Sequence, residues 1–398
     1  MNGVPYDVTP IQALLNSFGN IFPYTWFIIL PITLWMIFFV LWMDSVWDTY
    51  ISSLKFTLLE IIPPRDIEKS PLPMELIFDT LAATEKTSNV LEEFLGGELL
   101  PEFSCEIVSD GGVVHLYVRT ETRFRNVVES AFYGQYPDIQ IVEVADYVES
   151  VPKGIPNREW NLWGTNLILT RHDSYPIRVY RNFQEDVTGK MVDPLSYMFE
   201  IMGKLPPGHK LWYQIIISPT RPSWYEGGKQ FVNELMTKMA KEKGVDSEDM
   251  TALEAKLTPV EKKILEAVEM NIGKTMFKAR MRFLYLGPTE GFDKSSFVTG
   301  FMGAIKQFND SNLNSLKPEG ESKTFAGFVF TKRRLRYRQR IILRRYKNRS
   351  GDPPGTVNIF SSAELATLFH IPDMVVMAPS LTRVGAKRGS APTNLPVD

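Results

Sequence analysis

The 398 residues of this chain are 44% hydrophobic and 23% charged, which is typical of globular protein and leaves room for two folded units besides one membrane span. Cys105 is the only cysteine, which excludes an intrachain disulfide framework and a cysteine-based zinc site and fits a reducing compartment. The formal net charge of −2 conceals a segregation of charge. Thirteen Lys and Arg against four Asp and Glu follow Thr331 (+9), whereas 31 against 42 occupy the first 331 residues (−11), so an acidic body ends in a basic tail.

The most apolar stretch, Ile21 to Met43, contains no Asp, Glu, Lys, Arg or His. At about 1.5 Å of rise per residue, a helix over 21–43 matches the ~30 Å hydrocarbon core of a bilayer, so the stretch predicts a transmembrane helix. A buried core helix rarely goes this long without a polar face, and a cleaved signal peptide fits less well because no Lys or Arg precedes the run. The residues predicted to form and bound this membrane anchor are Trp26, Pro31, Trp35, Trp42 and Trp47.

The flanks of the span predict its orientation. Residues 1–20 predict a short extracytoplasmic segment that carries a surface helix and no Lys or Arg. Because Lys55, Arg65 and Lys69 follow the span, the positive-inside rule places the C-terminal body in the cytoplasm. We therefore expect a single-pass protein of the inner (cytoplasmic) membrane.

Residues 44–73 predict a stalk and linker. Apolar residues at helical spacing continue from Trp47 to Ile61, and Pro63 and Pro64 then stop the helix. The pattern predicts either a stalk that extends out of the membrane or a helix that packs on the body.

Residues 74–150 predict a first α+β domain, in which a Gly-rich turn joins two alternating runs as a hairpin. The predicted elements are a helix at 74–96, strands at 103–108 and 113–119, a helix at 123–136 and a strand at 139–144. This order predicts a ferredoxin-like unit with an antiparallel sheet.

Residues 151–330 predict a second α+β domain of similar order. Trp160 and Trp163 fall in a non-periodic connection, which favours core packing over a binding surface. The predicted elements are strands at 165–170, 177–180 and 211–218, a helix at 194–202, an inserted helical hairpin at 223–277, a strand at 280–286 and a helix at 294–308. The predicted fold class is α+β, with one N-terminal transmembrane helix followed by ferredoxin-like antiparallel sheet units and an inserted helical hairpin.

A basic segment at 331–349 follows, and its pattern fits both an alternating strand and one side of a helix. The candidate contacts for nucleic acid or a partner are Lys332, Arg333, Arg334, Arg336, Tyr337, Arg338, Arg340, Arg344, Arg345, Lys347 and Arg349. The alternatives are a solvated face, pairing with the acidic body, and contact with anionic lipid. Residues 350–378 predict a short helical segment, and 379–398 a flexible tail.

The residues predict no catalytic site, no metal site and no cofactor. Gly273-Lys274-Thr275 ends like a phosphate-binding loop, but the required first glycine is replaced by Val268 within a helical pattern. The four histidines are widely spaced, and Cys105 lies on a predicted strand as a small core residue. An unrecognised membrane-bound enzyme would have to gather distant polar residues such as His172, Asp173 and Glu200 into one pocket.

Extended stretches of the chain, without a catalytic signature, carry a family resemblance; they are Phe103–Tyr147, Trp163–Tyr180, Asp193–Pro219, Ser362–Pro372 and the APTNLP ending at 391–396. These stretches resemble the membrane-proximal region of type IV secretion or conjugation-like ATPases of the TraG/TraD and FtsK/HerA type from small-genome bacteria. In that family a linker and a motor domain with Walker motifs follow, whereas this sequence contains no motor. The resemblance implies that a separate FtsK/HerA-like ATPase supplies the motor, or that this chain is a split or truncated form, and it implies a homo-oligomeric ring.

Two functions from different classes follow from these observations. The first is a membrane-anchored, non-catalytic assembly or coupling subunit of a type IV secretion or conjugative DNA-transfer machine, which docks a separate ATPase. The second is a membrane-tethered protein that binds nucleic acid, DNA included, through the basic segment without a motor.

Overall fold

The computed structural model describes residues 9–64, 70–85, 96–183, 192–221, 223–246, 250–349 and 357–373. The chain divides into two units, one that contains the N-terminal helix and one that begins at Phe56 and contains the sheet. The second unit is mixed α+β with an antiparallel sheet, so the predicted fold class is confirmed. The predicted tail at 379–398 lies outside the described residues.

One long helix, α1 (Thr9–Ser53), contains both the predicted surface helix and the predicted span. Its part from Trp26 to Ser53 reaches a mean hydropathy of 2.3. The large apolar side chains from Trp26 to Leu41 are exposed, as a lipid-facing surface requires. Within the part of the chain that the structure describes, α1 is the one helix long and apolar enough to cross a membrane.

The second unit contains nine strands and nine further helices among its described residues. The strands are β1 (Phe56–Ile62), β2 (Phe103–Asp110), β3 (Val113–Glu121), β4 (Gln140–Glu143), β5 (Trp160–Leu169), β6 (Lys210–Pro219), β7 (Met276–Pro288), β8 (Leu316–Pro318) and β9 (Asn358–Ser361). The helices are α2 (Leu72–Ala82), α3 (Arg125–Gln135), α4 (Ser196–Gly203), α5 (Ser223–Lys243), α6 (Met250–Lys256), α7 (Pro259–Ile272), α8 (Lys294–Lys306), α9 (Thr331–Lys347) and α10 (Ser362–Leu368).

The sheet consists of two copies of the same βαββαβ order. The strands lie side by side in the order β4-β1-β3-β2-β6-β7-β5-β8, β9 pairs with β7, and every pair is antiparallel. In each copy the spatial order is fourth, first, third and second strand, and the copies meet where their second strands, β2 and β6, pair. The two predicted ferredoxin-like units therefore share one continuous sheet.

Apolar layers cover both faces of this sheet. One face packs against α2, α3, α4, α8 and α10, whose buried rings include Phe78, Phe132, Phe199 and Phe301. The other face is covered by α9 and by the segment of residues 144–160. The inserted helices α5, α6 and α7 form a small core of their own, and a capping box of Thr258 with Glu261 begins α7.

The predicted stalk helix is wrong beyond Ser53, because residues 56–62 form β1. The sequence FTLLEII satisfies both periods: Leu58 and Ile61 are three apart, as on a helix, while Leu59 and Ile61 alternate, as on a strand. Pairing with β3 on one side and β4 on the other favours the strand. Leu59 and Ile61 then enter one apolar layer and Leu58 the other.

The predicted connection around Trp163 is also wrong. Residues 160–164 are the first half of β5, and the Trp163 ring packs on Phe283 of β7 with 5.9 Å between ring centroids. Trp163 is a core residue and Trp160 packs partly buried against the core, as their type favoured, but both belong to a strand.

The strand predicted at 177–180 is absent from these described residues, and a 3-10 turn begins at Tyr180. Side chains of α10 bond the backbone here in place of a neighbouring strand: Glu364 accepts from the Ile177 amide at 2.9 Å, and Thr367 accepts from the Tyr180 amide at 2.8 Å. The helix predicted to end near Phe277 ends at Ile272, because β7 begins at Met276.

Candidate interaction surface on the basic helix

The basic segment forms a helix, α9, and its sequence shows why. Gln339, Ile342, Leu343 and Tyr346 recur at helical spacing, and all four are buried on one side. The same sequence also alternates between apolar and basic residues, as in a strand. In the helix, the arginines between the four buried residues lie mainly on the opposite, exposed side. The ambiguity left by the sequence is therefore resolved in favour of an amphipathic helix.

The apolar side of α9 packs on strands from both halves of the sheet. Ile342, Leu343 and Tyr346 share a core with Val108 of β2 in the first half and with Trp212 of β6 and residues of β5 and β7 in the second half. The rings of Tyr346 and Trp212 stack with 5.2 Å between centroids. A Cβ added at Gly164 of β5 would come within 2.2 Å of a Leu284 methyl and 3.2 Å of an Ile342 methyl, so the absence of a side chain at 164 permits this close packing.

Polar contacts fix the middle of α9 on the sheet. The Gln339 amide donates to the Leu162 carbonyl of β5 at 2.7 Å and to the Asn161 side chain at 3.1 Å. The Gln214 amide of β6 donates to the Tyr346 carbonyl at 3.3 Å. These buried hydrogen bonds define where the helix sits along the strands.

A buried charge network, which we call the clamp, closes the C-terminal end of α9. Arg349 donates to both carboxylate oxygens of Glu106 on β2, from Nε to Oε1 at 3.0 Å and from Nη2 to Oε2 at 3.1 Å. Arg349 also pairs with Asp146, at 2.9 Å from Nη2 to Oδ1. Ser104 and Tyr147 donate to the Glu106 carboxylate at 2.6 and 2.7 Å. A buried carboxylate and a buried guanidinium thus satisfy each other with bidentate geometry.

The clamp shifts the pKa values of its members. Burial alone would raise the pKa of Glu106, but the charge and hydrogen bonds of Arg349, with those of Ser104 and Tyr147, outweigh it and hold that pKa below its ordinary value. Burial lowers the pKa of Arg349, but the charge of Glu106 together with the interaction with Tyr147 and the hydrogen bonds to Glu106 and Asp146 outweighs burial and raises that pKa overall. Both groups are therefore charged at neutral pH.

The structure divides the eleven predicted contact residues into two groups. Four of them make contacts within the fold. Arg338 donates to the carbonyls of Gly320, Lys323 and Phe325, and Lys347 donates to the Val151 carbonyl. Arg349 lies in the clamp, and Arg345 is half-buried, with its backbone carbonyl accepting a hydrogen bond from Arg282. The other seven are exposed, namely Lys332, Arg333, Arg334, Arg336, Tyr337, Arg340 and Arg344.

Five of the exposed residues align on the outer face of α9, and we call this row the ridge. Its members are Arg333, Arg336, Tyr337, Arg340 and Arg344. The spacing of three, four and seven residues places them on one side of a helix, directly opposite Ile342 and Tyr346. At about 1.5 Å per residue the ridge is roughly 16 Å long. It presents four guanidinium groups and one phenol ring to solvent.

A second exposed feature precedes α9, which we call the aromatic loop (residues 325–330). Its ring side chains are exposed, Phe325 by 60%, Phe328 by 91% and Phe330 by 74%, and Val329 lies between the last two. Phe328 and Phe330 have φ values of 65° and 53°, in the left-handed region that residues with side chains rarely adopt. This loop is not among the residues predicted from the sequence, although the cluster FAGFVF beside the basic run was an available signal.

The predicted membrane-anchor residues Trp26, Pro31, Trp35, Trp42 and Trp47 all lie in α1. Trp26, Trp35 and Trp47 are exposed. The helix continues through Pro31. Exposed aromatic side chains on an apolar helix suit contact with lipid, and the anchor role of these residues stays a prediction.

The remaining candidates for chemistry are dispersed. The four histidine side chains each make a separate contact: His115 with Glu60, His172 stacked on Phe231, His209 with Tyr285, and His370 with Asp193. Among the described residues, no group of three or more His, Cys, Asp and Glu side chains could hold a metal ion. Cys105 is buried, and burial together with the charge of Glu106 raises the pKa of its thiol.

The residues of the predicted enzyme pocket have separate contacts. Burial raises the pKa of Asp173 to about 6. Glu200 pairs with Lys204 at 2.7 Å on the exposed side of α4, and within the described part of the chain it shares no hydrogen bond with His172 or Asp173. Lys274 of the GKT sequence pairs with Glu75.

A family model for "Domain of unknown function (DUF8128)" matches residues 58–383. The chain belongs to the DUF8128 family. The matched DUF8128 domain begins within β1 and includes the rest of the sheet, the clamp, the ridge and the aromatic loop. No curated protein matches the chain.

Proposed function

We propose that this DUF8128 protein is a membrane-anchored, non-catalytic assembly or coupling subunit that docks a partner protein on the ridge of α9. The observation that carries the proposal is the exposure of four arginines on a helix whose other side is fixed to the sheet by apolar packing and by the clamp. A fixed helix presents its outer side chains at defined positions, which reduces the entropy lost on binding. Guanidinium groups in a row favour an acidic partner surface.

The partner in this proposal is a separate FtsK/HerA-like ATPase of a type IV secretion or conjugative DNA-transfer machine. The resemblance of the sequence to the membrane-proximal region of such ATPases supports the choice. In the proposal α1 spans the inner membrane once, the sheet lies in the cytoplasm, and several copies form a ring around the motor. The basic residues after the span support this orientation.

Crosslinking and pull-down of the full-length protein from its own membranes tests the proposal. Replacing the four ridge arginines with Glu should reduce recovery of the ATPase at least about ten-fold, because like charges across an interface cost several kcal/mol. A matched control replaces four exposed lysines of the inserted helices, Lys229, Lys238, Lys262 and Lys263, with Glu. Equal recovery with wild type and both variants, or no ATPase with wild type, would refute the proposal.

A second candidate function is binding of nucleic acid by the same ridge. Tyr337 is 66% exposed between the ridge arginines, and an aromatic ring beside guanidinium groups can stack on a base while the cations contact phosphates. Changing the four arginines to Gln should then flatten the dependence of log K on log salt by up to about 0.9 per lost phosphate contact for duplex DNA. An unchanged slope in a filter-binding titration would remove this candidate.

A further inference from the structure

The aromatic loop exposes apolar side chains that do not pack in the core of the fold. Phe325, Phe328, Val329 and Phe330 are all at least half exposed, and they lie within six consecutive residues. Single exposed apolar side chains are common on proteins, but a contiguous set of this kind marks an interaction site.

The loop is held in place by the helix that follows it. Arg338 of α9 donates to the Phe325 carbonyl at 2.7 Å, and Arg334 donates to the Gly327 carbonyl at 3.2 Å. At the base of the loop, Thr324 exchanges hydrogen bonds with Gly164 of β5, both at 2.9 Å. The backbone is thus tied to the fold while the rings project from it. Left-handed backbone at Phe328 and Phe330 is unfavourable for residues with a Cβ, and these ties compensate for it.

Positive charge lies directly beside the apolar rings. Lys332, Arg333 and Arg334 occupy the first turn of α9 and are exposed. The sequence from Phe325 to Arg349 contains no Asp or Glu, so no acidic residue within this stretch neutralises the basic residues. Helix N-termini ordinarily favour acidic residues, so cations in this first turn are unfavourable for the helix itself and point to an anionic binding partner.

We propose that the aromatic loop and the first turn of α9 bind the surface of a bilayer that contains anionic phospholipid. Rings inserted at the headgroup level bury apolar area, and Lys and Arg beside them attract the lipid phosphates. Val329 has no π face for stacking on a base, which favours a lipid surface over nucleic acid. The candidate span α1 supplies the bilayer, because an attached chain meets its membrane at a high effective concentration.

This inference goes beyond the docking of a partner on the ridge, and it uses the loop and not the distal ridge arginines Arg340 and Arg344. Arg333 belongs to both surfaces, so the separating variant replaces Arg336, Arg340 and Arg344 with Glu and keeps Arg333; it should lose ATPase recovery and retain the lipid contact. The two proposals therefore fail separately.

The test uses the full-length protein reconstituted into nanodiscs, with an environment-sensitive fluorophore attached to Cys in a Phe328→Cys variant. Cys105 does not compete for the label, because it is buried and its thiol pKa is raised. A Thr237→Cys variant on α5, also exposed, is the control position. We expect a blue shift of the label at 328 in discs of phosphatidylcholine with phosphatidylglycerol, a smaller shift in phosphatidylcholine alone, and none at 237.

Charge variants make the test quantitative. Each change of Lys332 or Arg333 to Gln should lower the ratio of membrane-bound to free loop about five-fold, and Arg334 is kept because it also holds the loop backbone. An unshifted label at 328 in both lipid compositions would overturn the proposal. A shift that appears only on addition of duplex DNA, or of the partner ATPase, would also overturn it and would assign the loop to that ligand.

Discussion

Arg349 and Glu106 are 243 residues apart in the sequence and form one buried ion pair in the fold. The basic run was evident from composition, and seven of its eleven singled-out residues are exposed. The sequence could not show that Arg349 and Arg338 face inward, because their partners come from β2 and from the loop before α9. At the residue scale, a run of charged residues shows where a charged surface lies, but it does not show which of its side chains are exposed.

Replacing Arg349 with Met should destabilise the protein by about 3–5 kcal/mol, because the Glu106 carboxylate would remain buried without its cation. Chemical denaturation of the full-length protein in detergent measures the change. Glu200→Gln, which removes an exposed pair on α4, should change the free energy of unfolding by less than about 1 kcal/mol and is the control. The double variant Glu106→Gln with Arg349→Met should lose less than the sum of the single variants. Additive losses would contradict a direct pair.

The lowered pKa of Glu106 predicts the acid sensitivity of the fold. A carboxyl whose pKa is lower in the folded than in the unfolded state contributes stability that is fully present above its ordinary value of 4.5 and is lost as pH falls toward the folded value. Unfolding free energy should therefore fall as pH decreases below about 4.5. In Glu106→Gln this dependence should be shallower, which denaturation at a series of pH values measures. An equally steep fall in the variant would show that other carboxyls dominate.

At the scale of elements, alternation and turn chemistry predicted most of the sheet. The hairpin of β2 and β3 and the strand β6 lie close to their predicted bounds. The secondary structure of short apolar runs was predicted wrongly. Residues 56–62 fit two periods, and the backbone at 177–180 is bonded by side chains of a helix about 187 residues later. Such choices depend on tertiary partners that no local pattern contains.

Packing of α9 on β5 should depend on the missing side chain at Gly164. An added methyl would clash with Leu284 and crowd Ile342, so Gly164→Ala should cost about 1–3 kcal/mol of stability. Gly154→Ala is the matched control, since nothing lies within 4 Å of the added atom. Thermal unfolding compares the two variants. A Gly164→Ala melting temperature equal to that of the control would contradict the close packing of Leu284 and Ile342 around Gly164.

On the scale of the whole molecule, the segregated charge has a structural meaning. The basic tail evident in composition contains α9, which lies across both halves of the sheet and presents its ridge outward. The sequence predicts the repeated βαββαβ order only as a similarity of element order, because the residues of β1 also fit a helix and the pairing of β2 with β6 leaves no local signal. The sequence alone predicted the apolar span, the α+β class and the basic run. The structure was needed to show that the sheet is continuous.

Docking of the partner on the ridge of α9 is the step on which the proposed function depends. A photo-crosslinking amino acid placed at Tyr337, in the middle of the ridge, tests it in cells. Tyr197 of α4 is likewise exposed but belongs to a helix that covers the other face of the sheet, so it is the control position. We expect a crosslink to an ATPase from position 337 and none from position 197. Equal crosslinking from both positions, or none from position 337, would contradict docking of the partner on the ridge.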